Sequence, residues 1–185
     1  MPKVSAEHLE ARRRQILAGA QRAFAQHGYD GATVAILETE TGLSRGAIFN
    51  YFDGKLDLFA ELARDVNRRY TELMTARGLD GAIRAMAEEN PDWIAVLVET
   101  QARLRHDPPF QARADASSDE TSTQIVAWFR ARQEDGTFRD DLDALELARF
   151  AAMTLNGLAL RVVSGNPIDV DALLRLLHDA LAPRK

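Results

Sequence analysis

The sequence predicts an all-α protein of nine helices, a small three-helix head followed by a larger helical body. Three observations predict it. Apolar residues recur at three- and four-residue spacing along nearly the whole chain, the spacing of one helix face. No run alternates apolar and polar residues between hairpin turns. Gly, Asn and Pro clusters then divide the chain at intervals of helix length, as at Asn90-Pro91, Asp107-Pro108-Pro109 and Gly165-Asn166-Pro167.

The bulk numbers narrow the function. At 185 residues the chain can bury a sizeable core, and 46% hydrophobic against 28% charged residues is ordinary for a globular protein of the cytoplasm. No apolar stretch approaches the roughly 20 residues of a membrane-spanning helix, and the charged start of the chain lacks the apolar centre of a secretory signal, so no membrane partner is expected. With no cysteine, disulfides, thiolate zinc sites and cysteine nucleophiles are excluded. The net charge of -5 disfavours a polyanionic partner, but its distribution softens the objection. Residues 1–55 carry seven Lys or Arg against six Asp or Glu, a net of +1, which leaves -6 on the remaining 130.

In chain order, the first helix is expected over 6–27, with Ile16, Leu17, Ala20, Ala23 and Phe24 on one face and Gly28 as its stop. Thr33 then caps a short helix over 34–41, Gly42-Leu43 breaks it, and Ser44 caps another over 45–51. Helices this short need the first helix and the next one, over 55–77, to cover Ile36, Leu37, Leu43, Ile48 and Phe52. Further helices are expected near 82–89, 92–106, 110–133, 143–164 and 169–182. Between Leu147 and Leu160 only Arg149, Thr154 and Asn156 are distinctly polar, so that helix should be buried on several sides. With Ile168, Val170, Leu173, Leu174, Leu177 and Leu181 on the last helix, a homodimer built from helices 143–164 and 169–182 is the natural solution.

The segment Gly31-Ala32-Thr33-Val34 through Gly42-Leu43-Ser44-Arg45-Gly46-Ala47-Ile48-Phe49-Asn50-Tyr51-Phe52, with Lys55 and Leu58-Phe59 after it, resembles the DNA-binding head of TetR-type transcription regulators. Any one of these residues is also what an ordinary cap, turn or core position needs; the specific signal is their arrangement. The resemblance implies a helix-turn-helix domain over 1–54, an effector-binding and dimerisation domain over 55–185, and double-stranded DNA as partner. The physics of the residues agrees. Gly42 supplies a tight turn, Ser44 caps a helix able to enter the major groove N-terminus first, and Gly46 allows close backbone approach. Arg45 has the fork to reach a guanine edge, and Asn50 can pair with adenine or hold a phosphate. Thr33 and Lys55, at helix starts flanking the reader, suit phosphate oxygens.

The chain also departs from that pattern. Phe49 stands where the family usually has tyrosine, and Tyr51 where it has histidine, so a hydroxyl contact is lost at 49 and another gained at 51. Ala35 replaces a usual Arg or Lys, and Glu38 and Glu40 bring negative charge close to the reader. Stretches at 31–34, 44–49, 104–110 and 156–161 are similar to regulators of the aconitase-repressor type, which implies a small carboxylate such as citrate as effector, with or without a divalent cation. In the body, Glu99 and Arg103 share a helix face four residues apart and form either a solvated pair or a ligand contact. Arg130 follows Trp128 and Phe129, a setting that suits a carboxylate ligand. Asn156, in the most apolar helix, needs a partner in a dimer interface or a ligand.

Two rival classes compete with the regulator reading. An enzyme finds little support: the four histidines are far apart in sequence, and no metal-ligand spacing, phosphate loop or nucleophile elbow occurs, so neither catalytic residues nor a cofactor or metal are expected. A helical interaction module with a degenerate DNA-binding head draws its support from Ala35, Glu38, Glu40 and the net negative charge.

Overall fold

A computed structural model describes residues 6–104, 108–166 and 168–184; among them, the side chains at 6, 101, 103, 104, 109, 110 and 112–120 lie outside the description. The described residues form eight helical runs and no strand, as the helical spacing requires.

Helix α1 (Ala6–Gly31) is interrupted at Gly28, whose φ of 69° puts it in the left-handed region, so the expected stop at 28 is present and one further turn follows it. Helix α2 (Val34–Thr41) begins at Thr33, whose hydroxyl accepts from the Ile36 amide at 3.4 Å, and ends at Gly42 with φ 69°. Helix α3 (Arg45–Phe49) is shorter than the expected 45–51, because the Tyr51 amide turns back to the Ile48 carbonyl at 3.1 Å and buries Phe52 beneath the turn. Helix α4 (Lys55–Ala87) unites the expected 55–77 and 82–89 helices. Gly78, with φ 70° and ψ -174°, breaks the helical conformation between them without opening a loop, which turns nine expected helices into eight runs.

Helices α5 (Pro91–Leu104) and α6 (Pro108–Glu134) follow, then α7 (Ala144–Val163) and α8 (Val170–Leu181). Three acceptors start them where the sequence provides caps. Asn90 Oδ1 takes the Asp92 amide at 2.9 Å, Asp143 takes Leu145 at 2.9 Å and Asp169 takes Ala172 at 2.8 Å.

Head and body share one apolar core. Ile16, Ala20, Phe24, Leu37 and Ile48 are fully buried in the head, and Phe59 of α4 packs edge-on against Phe24 at 5.5 Å and Tyr29 at 5.3 Å. On its other side Phe59 meets the fully buried Trp93 of α5 at 6.2 Å, so aromatic contact runs unbroken from the head into the body. Helix α7 is covered on one side only: Leu147, Ala148, Ala151 and Leu158 are buried, while Met153 is 64% and Leu160 54% exposed. The expected apolar face of α8 is largely engaged within the chain through Leu174, Leu177 and Leu181, leaving Leu176, 68% exposed, pointing outward.

Candidate nucleic-acid interface

The head presents α3 at its surface. Ser44, Arg45, Gly46 and Asn50 are exposed, Ala47 and Phe49 half-buried, and Ile48 is the buried anchor that holds the helix to the core. Ser44 Oγ accepts from the Ala47 amide at 3.4 Å, which fixes the start of the helix. An added Cβ at Gly46 would meet nothing within 4 Å. Packing inside the chain therefore does not require glycine there, whereas close approach to an external backbone would. Asn50 closes α3 as its C-cap and Tyr51 lies just past its end, half-buried.

The two acids of α2 beside α3 have partners within the head. Glu38 Oε1 accepts from the Arg45 amide at 2.6 Å, so a carboxylate of α2 holds the first turn of α3. Glu40 pairs with Arg22 of α1, whose Nε lies 3.1 Å from its carboxylate and whose terminal nitrogen donates to the Glu40 carbonyl at 2.5 Å. Gln15 Nε2 adds a bond to the Thr41 carbonyl at 2.9 Å. These bonds tie α1 to α2, and they were not legible in the sequence because the partners lie 18 and 26 residues apart.

Thr33 is exposed at the start of α2, open to a phosphate as well as capping. Lys55 opens α4, half-buried, and its ammonium has partners within the chain. Its Nζ donates to the Tyr29 carbonyl at 2.9 Å and the Asp30 carbonyl at 3.3 Å, and it stands 4.7 Å from the centre of the Tyr29 ring. A second clamp joins α1 and α4 higher up, where Glu61 accepts from both Arg13 and Arg64. Burial pushes the Glu61 carboxyl up, but hydrogen bonds and charge from Arg64 and Arg13 outweigh that and hold it below its ordinary value.

Three of the four candidate effector residues have described side chains. Glu99 is exposed and lines a cleft of about 180 Å³ with His27, Tyr29, Asp30 and Thr100, between the last turn of α1 and α5. Neither Arg130 nor Asn156 lines it. The side chain of Arg103 lies outside the described residues. Arg130 is exposed, and the guanidinium over Trp128 belongs instead to Arg132, at 5.1 Å, because residues four apart share a helix face and residues two apart do not. Asn156 is exposed on the open side of α7. A further groove, of about 220 Å³, runs between α1 and α4 beside Arg14, Leu17, Leu62 and Arg69. Among the described residues no group of His, Cys, Asp or Glu is placed to hold a metal ion, and no helix is long and apolar enough to cross a membrane.

Comparison with known proteins gives this geometry its context. Residues 16–62 match the family model for bacterial regulatory proteins of the tetR family, and residues 75–183 match that for the C-terminal part of BetI-type transcriptional repressors. The chain is 40% identical over 184 residues to the HTH-type transcriptional repressor Rv1474c of Mycobacterium tuberculosis, covering 98% of each. It is 38% identical to the HTH-type transcriptional repressor AcnR of Corynebacterium diphtheriae, covering 96% of this chain and 93% of that one. Among solved structures, Salmonella enterica GusR superimposes with a TM-score of 0.75 at 20% identity, over 97% of this chain and 98% of the other. The all-helical chain with its exposed α3 thus belongs to the TetR family, a family of transcription regulators rather than enzymes.

Proposed function

We propose that this chain is a repressor that binds a palindromic operator as a homodimer in the cytoplasm and releases it when a small-molecule effector binds. The observation that carries the reading is the surface of α3: Ser44, Arg45, Gly46 and Asn50 face outward on a helix whose neighbouring acids, Glu38 and Glu40, are engaged in holding the head together. The rival reading, an interaction module with a degenerate head, keeps Ala35 and the net negative charge as its support, and DNA selection separates the two.

Dimerisation is supported by the open side of α7. Leu145, Phe150, Met153, Leu160 and Val163 form an apolar band on one helix, with Leu176 on α8, and covering such a band with its own copy removes it from water. Met153→Asp should then give monomers in sedimentation; an unchanged dimer would move the interface elsewhere. In the dimer two α3 helices about 34–36 Å apart fit successive major grooves, and a ligand that alters that spacing alters affinity.

The chain divides in function at 54: residues 1–54 read DNA, and residues 55–185 bind effector and partner. Coupling runs through α4, whose Phe59 touches both the head aromatics and Trp93 of α5. Operator and effector then bind with reciprocal coupling. The effector is a small carboxylate such as citrate, in keeping with the likeness at 104–110 and 156–161, and Glu99, Arg103, Arg130 and Asn156 are the contacts to vary. Calorimetric titration with citrate, with and without magnesium, tests this; no heat and no loss of operator affinity would reject it.

The experiment for the reading as a whole is selection of promoter fragments with purified protein, then footprinting, with Arg45→Ala as control. A palindromic footprint lost in the variant is expected. No selected sequence at low salt would reject the regulator reading.

A further inference from the structure

Glu38 lies near the end of α2, one turn before the Gly42 corner, and its carboxylate reaches across that corner to the first amide of α3 at 2.6 Å. The first N–H groups of any helix lack partners inside it and need them from elsewhere. In α3 the Ala47 amide goes to Ser44 Oγ at 3.4 Å and the Arg45 amide to Glu38. The bond to Glu38 is the shorter, it is charged, and it comes from a different helix. It therefore does two things at once: it fixes the angle between α2 and α3, and it holds a negative charge at the surface beside the start of α3.

The consequence concerns specificity. Affinity for arbitrary DNA comes from phosphates, whereas discrimination comes from base edges. A carboxylate fixed at the start of the reading helix repels the first kind of contact and, by holding Arg45 in place, supports the second. We infer that Glu38 is a specificity-determining positioning residue, which keeps phosphate away from the start of α3 and sets the approach of Arg45 to the bases. The inference rests on the reading of α3 as the helix that reads DNA.

The test uses the full chain with the operator fragment it selects and a scrambled duplex of equal length, at several salt concentrations. Glu38→Gln keeps an acceptor oxygen and removes the charge. It should bind the scrambled duplex more tightly at low salt, with a slope of log affinity against log salt steeper by about one unit, while operator binding changes less, so the specificity ratio falls. Glu38→Ala removes the acceptor too; it should show the same gain on scrambled DNA and lose about tenfold on the operator, a base-contact-sized loss. Scrambled-DNA binding unchanged in Glu38→Gln overturns the exclusion of phosphate, and that variant decides the matter even where Glu38→Ala fails to fold. Equal operator binding by folded Glu38→Ala and Glu38→Gln overturns the positioning role. If Arg45→Ala binds operator as well as the unmodified chain does, the reading of α3 itself fails and the inference falls with it, an outcome independent of the Glu38 variants.

Discussion

Lys55 reaches back across the head to Tyr29, donating to its carbonyl at 2.9 Å while its ammonium stands 4.7 Å from the centre of the same residue's ring. With the bond to the Asp30 carbonyl, the start of α4 is fastened to the last turn of α1. That turn also forms one wall of the cleft beside Glu99 and Thr100 of α5. A shift of α5 against α1 therefore meets the anchored end of the helix that connects head to body.

Lys55→Ala should destabilise the head by about 1–3 kcal/mol, the worth of a charged donor to carbonyl acceptors, and weaken operator binding by displacing α4. Because the ammonium is engaged by carbonyls, the slope of log affinity against log salt should stay near that of the unmodified protein. A slope reduced by about one unit would place Lys55 on a phosphate instead.

Gly46→Ala separates stability from function. The site has open space for a methyl group, and glycine inside a helix costs up to about 1 kcal/mol relative to alanine, so urea denaturation should show equal or greater stability. Operator affinity should fall by about tenfold or more, equivalent to about 1.4 kcal/mol, if α3 reads DNA as proposed and the methyl group enters the space between them. Unchanged affinity would remove Gly46 from the interface.

Gly19→Ala tests how closely α1 and α2 pack. A Cβ at Gly19 would stand 2.7 Å from both the Glu40 carbonyl oxygen and the Thr41 Cα, atoms of the backbone that cannot swing away. Overpacking of this kind costs about 1–3 kcal/mol, and the loss should appear in denaturation together with weaker DNA binding. A variant as stable as the parent would show that the two helices separate freely.

The Glu61 clamp predicts a direction of pH dependence. Its folded carboxyl titrates below the ordinary 4.5, so the unfolded chain takes up the proton first. The bond to Arg13 and Arg64 thus adds stability that is present above about pH 4.5 and is lost as pH falls through the lower folded value. Denaturation midpoints should drop on acidification in that window. Glu61→Gln should lower stability at neutral pH and flatten the drop; an equally steep drop in the variant would assign it to other carboxyls.

The sequence by itself determined the helical class, the caps and the short head. Those follow from local physics: Thr33 and Ser44 accept amides three residues on, Gly42 and Gly78 adopt left-handed φ, and Ile16, Leu37 and Ile48 share a buried face through helical spacing. The resemblance carried by 31–59 and the exposed positions of Ser44, Arg45, Gly46 and Asn50 were likewise legible, because a helix-turn-helix leaves few other ways to bury its apolar face. Tertiary structure alone decided the electrostatics. Which partners Glu38 and Glu40 take, that Lys55 meets a carbonyl pair, and that Arg132 rather than Arg130 covers Trp128 all depend on which side chains converge. The sequence gives the charge of each residue; only the packing of α1 against α2, α4 and α5 brings its partner within hydrogen-bonding distance.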